Sequence, residues 1–187
     1  MFGYGFGFRY KGVELAIDAV DYLVKNDPKF KKLTYIYVCS DSVGNQGVHN
    51  TYYNQLVDKV QEKNLTNNIL IIRGYLSDSM LENYLRTVKL VVFPYVMDGQ
   101  NVVYGASGAI KIAMSHGNPV IASRSHLFDD IEGVVPRISN AQELASEIDR
   151  IFSSSEYRES LVRKNHEYIS NNTWETSGQK YARILGV

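Results

Sequence analysis

The alternation of short apolar runs with longer periodic segments is the feature that most constrains the fold of this sequence. Six short runs are typical of strands: 2–8, 33–39, 69–73, 90–95, 120–123 and, more weakly, 133–138. The segments between them carry apolar residues at helical spacing, such as Val13, Ile17 and Val20. Strands that alternate with helices need right-handed crossovers, which give a parallel sheet with helices on both faces. The sequence therefore predicts one doubly wound, Rossmann-like α/β domain of about six strands over residues 1–187.

The periodic segments predict seven helices, several of which have marked ends. They lie near 13–24, 51–62, 81–88, 106–114, 140–152, 156–169 and 174–185. Ser77 or Asp78 is the expected N-cap of the third helix, and Asn140 with Glu143 resembles a capping box at the fifth. Gly117 is placed to end the fourth helix. Surface loops are expected at 26–32 and 41–50.

Composition and charge argue against several classes of function. Twenty basic and twenty acidic side chains balance, so we expect no nucleic acid partner. No apolar run reaches the roughly 18 residues that span a bilayer, and no signal sequence is recognisable. We therefore expect a cytoplasmic protein with at most peripheral membrane contact. Cys39 has no second cysteine to pair with, and no cluster of His, Cys or carboxylate residues has the spacing of a metal site.

Two loops that follow predicted strands carry residues suited to an anionic ligand. Ligands of doubly wound sheets bind beyond the carboxyl ends of the strands. Arg9 and Lys11 follow the first strand and precede a helix N-terminus, where a cation is unfavourable unless an anion lies between them. The GASG stretch at 105–108 also leads into a helix, whose first N–H groups are suited to phosphate. The alternative interpretations are solvated surface charges and a tight start to a buried helix.

Three longer stretches resemble one family of enzymes. They are GFGFRYKGVELAIDAV, IRGYLSDSMLENYLRTVKLVVFPY and AIKIAMSHGNPVIAS, and the match runs in the family's order from about residue 5 to residue 151. The sequence resembles the C-terminal, donor-binding domain of retaining two-domain GT-B glycosyltransferases of the glycogen synthase and group 1 (family 4-like) type. The resemblance implies that a nucleotide-sugar, such as a UDP- or GDP-hexose, binds to the chain. We expect no metal or other cofactor, because fixed cations and backbone amides take the place of magnesium. The resemblance also implies transfer of the hexose, with retention, to a polysaccharide, lipid or other glycan acceptor.

The resemblance implies roles for particular residues. Lys11 corresponds to a ligand of the diphosphate, with Arg9 as an offset substitute for the family's arginine. Asp98 is a candidate replacement for a family glutamate. His126 is a catalytic candidate because it follows a predicted strand, at the edge of the sheet where we expect the cleft. The implied donor-binding residues are Gly7, Lys11, Gly74, Tyr75, Tyr104, Gly105, Ala106, Ser107, Gly108 and Ala109.

Two departures from the family leave other functions open. Tyr104 and Ile112 stand where the family has glutamates eight residues apart, and neither side chain does the work of a carboxylate. The acceptor-binding domain is also absent, so we expect a separate acceptor-binding domain or chain, or a homo-oligomer, to meet the C-terminal helices at about 156–187. The alternatives are a non-catalytic module that binds a nucleotide or a partner protein, and half of a sugar-nucleotide epimerase.

Overall fold

Six parallel strands form the centre of the structure, a computed structural model that describes residues 1–41, 46–96 and 105–186. The strands are β1 (Phe2–Phe6), β2 (Tyr35–Ser40), β3 (Ile69–Arg73), β4 (Val91–Phe93), β5 (Val120–Ser123) and β6 (Arg137–Ile138). Their order is β3-β2-β1-β4-β5-β6, and every neighbouring pair is parallel. The predicted doubly wound sheet is confirmed. Because the strand order reverses between β1 and β4, the loops after these two strands open a crevice at the carboxyl edge.

Seven α-helices cover the sheet within the part of the chain that the structure describes. They are α1 (Val13–Asn26), α2 (Gln46–Glu62), α3 (Asp78–Thr87), α4 (Gly108–Ser115), α5 (Ala141–Ser153), α6 (Ser155–Asn171) and α7 (Trp174–Leu185). Alternate strand residues face opposite cores: Tyr37 packs in the cluster that contains Ile17 and Leu56, and Val38 in the cluster that contains Phe93 and Ile110. No helix in these described ranges is long and apolar enough to cross a bilayer.

Several predicted boundaries are wrong, and local turns explain two of them. β1 ends at Phe6 rather than at residue 8, because the N–H of Phe8 bonds to the carbonyl of Phe6 at 2.8 Å and a 3-10 turn over Arg9–Lys11 follows. β6 begins at residue 137 rather than 133, because a 3-10 helix over His126–Ile131 and a turn occupy the chain before it. The predictions for 69–73, 120–123 and 174–185 match β3, β5 and α7.

The second helix is longer than the sequence predicts. α2 begins at residue 46, so the expected loop at 41–50 is partly helical. Among its described side chains, the buried ones are Tyr52, Leu56 and Val60, which recur every four residues. A helix that buries one narrow stripe needs few apolar residues, so its first turn carries no periodic signal in the sequence.

Capping residues set the predicted helix ends. The Ser77 side chain accepts a hydrogen bond from the N–H of Met80 at 3.3 Å, and the Asn140 side chain accepts one from the N–H of Glu143 at 2.8 Å. Both predicted N-caps are confirmed. Gly117 has φ 75° directly after the C-cap of α4, as expected for the residue that ends a helix.

The start of α1 requires a glycine. Gly12 has φ 63°, and a Cβ atom at this position would lie 1.9 Å from the carbonyl oxygen of Pro94. Nearby, the N–H of Val96 donates to the carbonyl of Tyr10 at 2.8 Å. The loops after β1 and β4 therefore pack backbone against backbone, and this contact fixes Lys11 at the carboxyl edge of the sheet.

Candidate functional site

A cavity of about 400 Å³ opens at the carboxyl edge of the sheet, where the strand order reverses. We refer to it as the carboxyl-edge cavity. One part of its wall is formed by Lys11 and by residues 106–109, which include the start of α4. The aromatic side chains that line it are Tyr4, Phe6, Tyr10, Tyr75 and Tyr95. A mostly apolar cavity with a few polar groups is the usual form of a small-molecule site.

Lys11 is the one Lys or Arg among the described residues that line this cavity. Its Nζ donates a hydrogen bond to the hydroxyl of Tyr95 at 2.7 Å and lies 4.9 Å from the centroid of the Tyr10 ring. Desolvation lowers the pKa of Lys11 from 10.5 to about 8, and no described carboxylate offsets this effect. A partly buried ammonium without a counterion favours a bound anion.

Tyr95 links Lys11 to the turn that precedes α4. Burial raises the pKa of Tyr95 to about 12, and a hydrogen bond with the Ser107 side chain opposes that rise by a smaller amount. The hydroxyl therefore stays protonated at neutral pH and holds both side chains. A second tyrosine also bonds to α4, because the hydroxyl of Tyr4 donates to the carbonyl of Ala109 at 2.6 Å.

The first turn of α4 has free capacity to bind an anion. Ser107 is the N-cap residue, but its side chain makes no capping hydrogen bond to the helix. Ser107 therefore leaves the N–H groups of the first turn without an acceptor from the N-cap side chain. The N–H of Ser107 itself is engaged, because it donates to the carbonyl of Leu127 at 3.1 Å. At Gly108 a Cβ atom would meet nothing within 4 Å, so this residue leaves the approach to the helix open.

The structure brings Lys11, Tyr75 and residues 106–109 together and places three predicted glycines beside them. Tyr75 is 80% exposed and also lines the cavity. Gly7 and Gly74 lie in the adjoining loops, where their N–H groups donate to the carbonyls of Ser40 at 3.0 Å and Cys39 at 3.1 Å. Gly105, at φ 116°, lies just before the residues that line the cavity.

Arg9 is not brought to the cavity. Its guanidinium lies 3.3 Å from the Glu14 carboxylate, hydrogen-bonds to Gln55 and sits 5.6 Å from the centroid of the Tyr52 ring. These partners belong to α1 and α2, and none of them lines the carboxyl-edge cavity. The contacts of Arg9 therefore join two helices, which the sequence alone did not indicate.

Among the described residues, the remaining predicted positions add no carboxylate to the cavity. Asp98 and Tyr104 lie outside the described residues. His126 is exposed at the start of its 3-10 helix and does not line the cavity, although its neighbour Leu127 does. Ile112 lies on α4 and is 43% exposed. In residues 1–41, 46–96 and 105–186, no three His, Cys, Asp or Glu side chains are grouped to hold a metal ion. Metal-free binding stays a prediction.

Sequence reasoning missed most of the aromatic side chains that line the carboxyl-edge cavity, which we refer to together as the aromatic wall. Tyr4 and Phe6 alternate along β1, and Tyr95 follows β4 by two residues. Their positions at the carboxyl ends of the two strands that flank the reversal point were the available signal. Tyr10 had no such signal, because its orientation depends on the 3-10 turn.

The fold is one half of the GT-B architecture, as comparison with solved structures shows. The α,α-trehalose-phosphate synthase (UDP-forming) from Burkholderia xenovorans, in complex with glucose-6-phosphate, matches with a TM-score of 0.80 at 15% identity, over 100% of this chain and 43% of that chain. The enzyme from Burkholderia multivorans matches with a TM-score of 0.80 at 11% identity, over 97% of this chain and 41% of that one. A structure described as "Trehalose-6-phosphate from E. coli bound with UDP-2-fluoro glucose" matches with a TM-score of 0.75 at 16% identity, over 91% of this chain and 40% of that chain.

The chain belongs to the group 1 glycosyltransferases. The family model described as "Glycosyl transferases group 1" matches residues 3–154, which is most of the chain. The resemblance to the C-terminal domain of a group 1 GT-B enzyme is therefore confirmed. No match was found among curated protein sequences. The chain spans about two fifths of the length of the solved structures described above.

Proposed function

We propose that this chain is the donor-binding half of a retaining glycosyltransferase and that a nucleotide-diphosphate sugar binds in the carboxyl-edge cavity. The observation that carries the proposal is the desolvated ammonium of Lys11, which lines the same cavity as the start of α4. A cation that has no carboxylate partner among the described residues favours a diphosphate, and so does a helix N-terminus without a side-chain cap. The solved relative bound with UDP-2-fluoro glucose supports this ligand class.

In this proposal Lys11 and α4 act on the leaving diphosphate. When the bond between the anomeric carbon and the diphosphate oxygen breaks, negative charge develops on that oxygen. The Lys11 ammonium donates a hydrogen bond to the charge, and the N-terminal dipole of α4 stabilises it further. Tyr95 keeps Lys11 oriented through their 2.7 Å hydrogen bond. The acceptor hydroxyl then bonds to the anomeric carbon from the face that the diphosphate leaves and gives its proton to the departing diphosphate oxygen, which gives retention.

The aromatic wall holds the rest of the donor. Tyr75 is 80% exposed and lines the cavity, so its ring is available for a nucleobase to stack on. Tyr4 and Tyr10 also line the cavity, and the centroid of the Tyr10 ring lies 4.9 Å from Nζ of Lys11. Neither side chain carries charge at neutral pH, because burial raises the pKa of both hydroxyls. They exclude water from the diphosphate without competing for Lys11.

We propose that the acceptor is held by a separate acceptor-binding domain or chain, or by a second copy, in contact with α7. Trp174 is 95% exposed and Ile184 is 79% exposed, and Tyr181 and Leu185 are exposed as well. No residue of α7 is buried against the chain's own core. An amphipathic helix in this state favours a covering partner.

The alternative is a module that binds a nucleotide without catalysing transfer. The observation that favours it is Ile112, an apolar residue on α4 at a position where a family carboxylate is expected. Binding of a nucleotide-sugar is common to both proposals. Release of nucleoside diphosphate in the presence of an acceptor-binding partner is expected from the first only.

A thermal-shift panel tests donor binding directly. The chain is mixed with UDP-, GDP-, ADP- or dTDP-glucose, each with and without EDTA. A ligand at 100 times its Kd stabilises the fold by about 2.7 kcal/mol, which raises Tm by roughly 5–10 °C. We expect one nucleotide to give this shift in EDTA. No shift with any of the four contradicts the proposal, and a shift that EDTA removes contradicts metal-free binding.

A variant and its matched control test whether the nucleotide binds in the carboxyl-edge cavity. Gly108→Val adds a branched side chain at the start of α4, where it meets no protein atom within 4 Å of its Cβ. We expect the variant to fold and to lose the nucleotide-induced shift. Gly178→Val is the matched control, because Gly178 also lies in a helix with nothing near its Cβ and does not line the cavity. Equal shifts in both variants would place the ligand elsewhere.

A further inference from the structure

A second cavity, of about 630 Å³, lies at the amino edge of the sheet. It is lined by Lys89, just before β4, and by Pro119, just before β5, so it is at the opposite edge from Lys11. Its other walls are the end of α3, the turn after α4 and the first half of α6. We refer to it as the amino-edge cavity. The proposed donor site uses none of these residues.

The amino-edge cavity carries an excess of positive charge. Its Lys and Arg residues are Arg86, Lys89, Arg158 and Arg163. Arg86 is paired with Glu82 at 2.6 Å, and the other three make no ion pair within the described parts of the chain. Glu159 is the one carboxylate in the described lining, and it does not pair with Arg163 although four residues separate them. Cations that gather without partners favour an anion between them.

Helix stability does not account for the arginines of α6. Arg86 and Lys89 lie at the end of α3, where the helix dipole favours cations. Arg158 is instead the fourth residue of α6, close to the positive end of the dipole, and it is half-buried. Arg163 lies in the middle of that helix, where the dipole has little effect. An anionic ligand gives these two positions a favourable partner.

Buried amide hydrogen bonds hold the walls of the cavity together. The side-chain NH₂ of Asn118 donates to the carbonyls of Leu85 at 2.8 Å and Val88 at 3.1 Å. The side-chain NH₂ of Asn165 donates in turn to the carbonyl of Asn118 at 2.8 Å. These bonds connect α3, the turn before β5 and α6, which carry the cations. The positions of the arginines are therefore fixed relative to one another at the backbone level.

We propose that the amino-edge cavity binds the phosphate group of a phosphorylated ligand through Arg158 and Arg163. The planar guanidinium matches the geometry of phosphate oxygens, so two arginines that line one cavity suit a dianion. Val88 and Val162 provide apolar wall for the rest of the ligand. A volume of about 630 Å³ falls within the roughly 300–1,000 Å³ of small-molecule sites. A soluble phosphate ester and an anionic lipid headgroup share this chemistry.

Site-resolved NMR of the ¹⁵N-labelled chain tests the proposal with inorganic pyrophosphate as the probe. We expect saturable shifts of the backbone amides at 117–118 and 158–163. Pyrophosphate bound at the donor site shifts the amides of residues 106–109 instead, so failure of either proposal is seen separately. The combined variant Arg158→Gln and Arg163→Gln is expected to weaken the amino-edge response about tenfold or more, since each change removes a charged donor.

Lys164→Gln is the matched control for the loss of charge. Lys164 is exposed on the same helix, next to Arg163, and does not line the cavity. We expect its pyrophosphate affinity to stay within about twofold of the parent. Absence of shifts at 117–118 and 158–163 overturns the proposal. An equal loss of affinity in the control and in the arginine variant also overturns it, because it indicates general screening.

Vesicles that contain phosphatidylglycerol distinguish the two sources of the phosphate group. No vesicle binding, together with the pyrophosphate shifts, supports a soluble ligand. Vesicle binding that pyrophosphate displaces, and that the arginine variant loses, supports a lipid headgroup in the same site. Vesicle binding that is unchanged by pyrophosphate and by the arginine variant, with no pyrophosphate shifts, contradicts the proposal.

Discussion

The carboxyl-edge and amino-edge cavities hold positive charge in different ways. At the carboxyl edge one ammonium, Lys11, is desolvated and bonded to Tyr95. At the amino edge most of the cations are exposed, and three of them make no ion pair within the described residues. A desolvated charge interacts strongly with a ligand in one geometry, whereas exposed charges are weakened by salt. We therefore expect a selective, pH-dependent site at the carboxyl edge and a salt-sensitive site at the amino edge.

Different interactions hold the walls of the two cavities in place. The carboxyl edge depends on the close approach of backbone at Gly12, and the amino edge depends on the side-chain amide of Asn118. The first contact leaves no room for a side chain, and the second is a set of replaceable hydrogen bonds. Substitutions at these two residues should therefore differ in their cost.

The largest effect is expected for Gly12→Ala. The new Cβ would lie 1.9 Å from the carbonyl oxygen of Pro94, and φ 63° is unfavourable for alanine. The free energy of unfolding should fall by about 3 kcal/mol or more in denaturant titrations. Gly74→Ala is the control, because a Cβ there meets nothing within 4 Å. Comparable stabilities for the two variants would mean that the loops do not pack as described.

A smaller effect is expected for Asn118→Ala. The change removes two donors from the buried carbonyls of Leu85 and Val88. It also removes a buried Oδ1 atom that has no hydrogen-bond partner within the described chain, which offsets part of the loss. The net loss should be about 1.5 kcal/mol. Asn172→Ala, which removes an exposed bond to the carbonyl of Tyr168, should cost about 0.5 kcal/mol or less. An equal cost for both variants would show that the amino-edge cavity is loosely held.

The pH dependence of nucleotide-sugar affinity should differ between the parent and Lys11→Met. Because the pKa of Lys11 is about 8, the ammonium loses its proton as the pH rises from 7 to 9. The anionic ligand binds the protonated form, so affinity should fall by about tenfold over this range. Titration calorimetry of Lys11→Met, which has no charge to lose, should show a flat profile. A parent profile as flat as that of the variant would exclude Lys11 as the ligand.

The lowered pKa of Lys11 also affects the free energy of unfolding, and this is the smallest effect that we expect. The folded pKa of Lys11 lies below its usual value of 10.5, so the unfolded chain binds more protons between about pH 8 and 10.5. The destabilisation by the buried charge is therefore complete below pH 8 and is relieved as the pH rises through this window. Lys11→Met should not lower Tm at pH 7. A clear fall in Tm would show that the lysine stabilises the fold.

The order of elements was predictable from the sequence because it depends on local periodicity. β3, β5 and α7 match their predicted bounds, and the N-caps Ser77 and Asn140 were identified from residue type alone. Boundaries set by turns were not predictable, as at the end of β1. The hydrogen bond from Phe8 to the carbonyl of Phe6 depends on the 3-10 turn that follows.

The carboxyl-edge cavity was partly predictable, and the amino-edge cavity was not. Lys11 and residues 106–109 lie in loops that follow strands, where doubly wound sheets bind ligands. Arg9 lies in the same loop as Lys11, but its side chain is oriented by contacts with Glu14 and Gln55. The sequence pattern does not indicate these contacts. The amino-edge cavity joins segments near 86, 117 and 160 through packing of α4 against α6, and no local pattern encodes that contact.

Titration calorimetry of Lys11→Ala and Arg9→Ala, with the nucleotide-sugar that gives the largest thermal shift, tests the central claim most directly. Lys11 lines the carboxyl-edge cavity and Arg9 joins α1 to α2, although only one residue separates them. Lys11→Ala should cost about 1.5–3 kcal/mol of binding, or roughly 10- to 150-fold in affinity. Arg9→Ala should change affinity by about twofold or less, since its ion pair is exposed. Affinity unchanged in Lys11→Ala, or a larger loss in Arg9→Ala, would contradict the account.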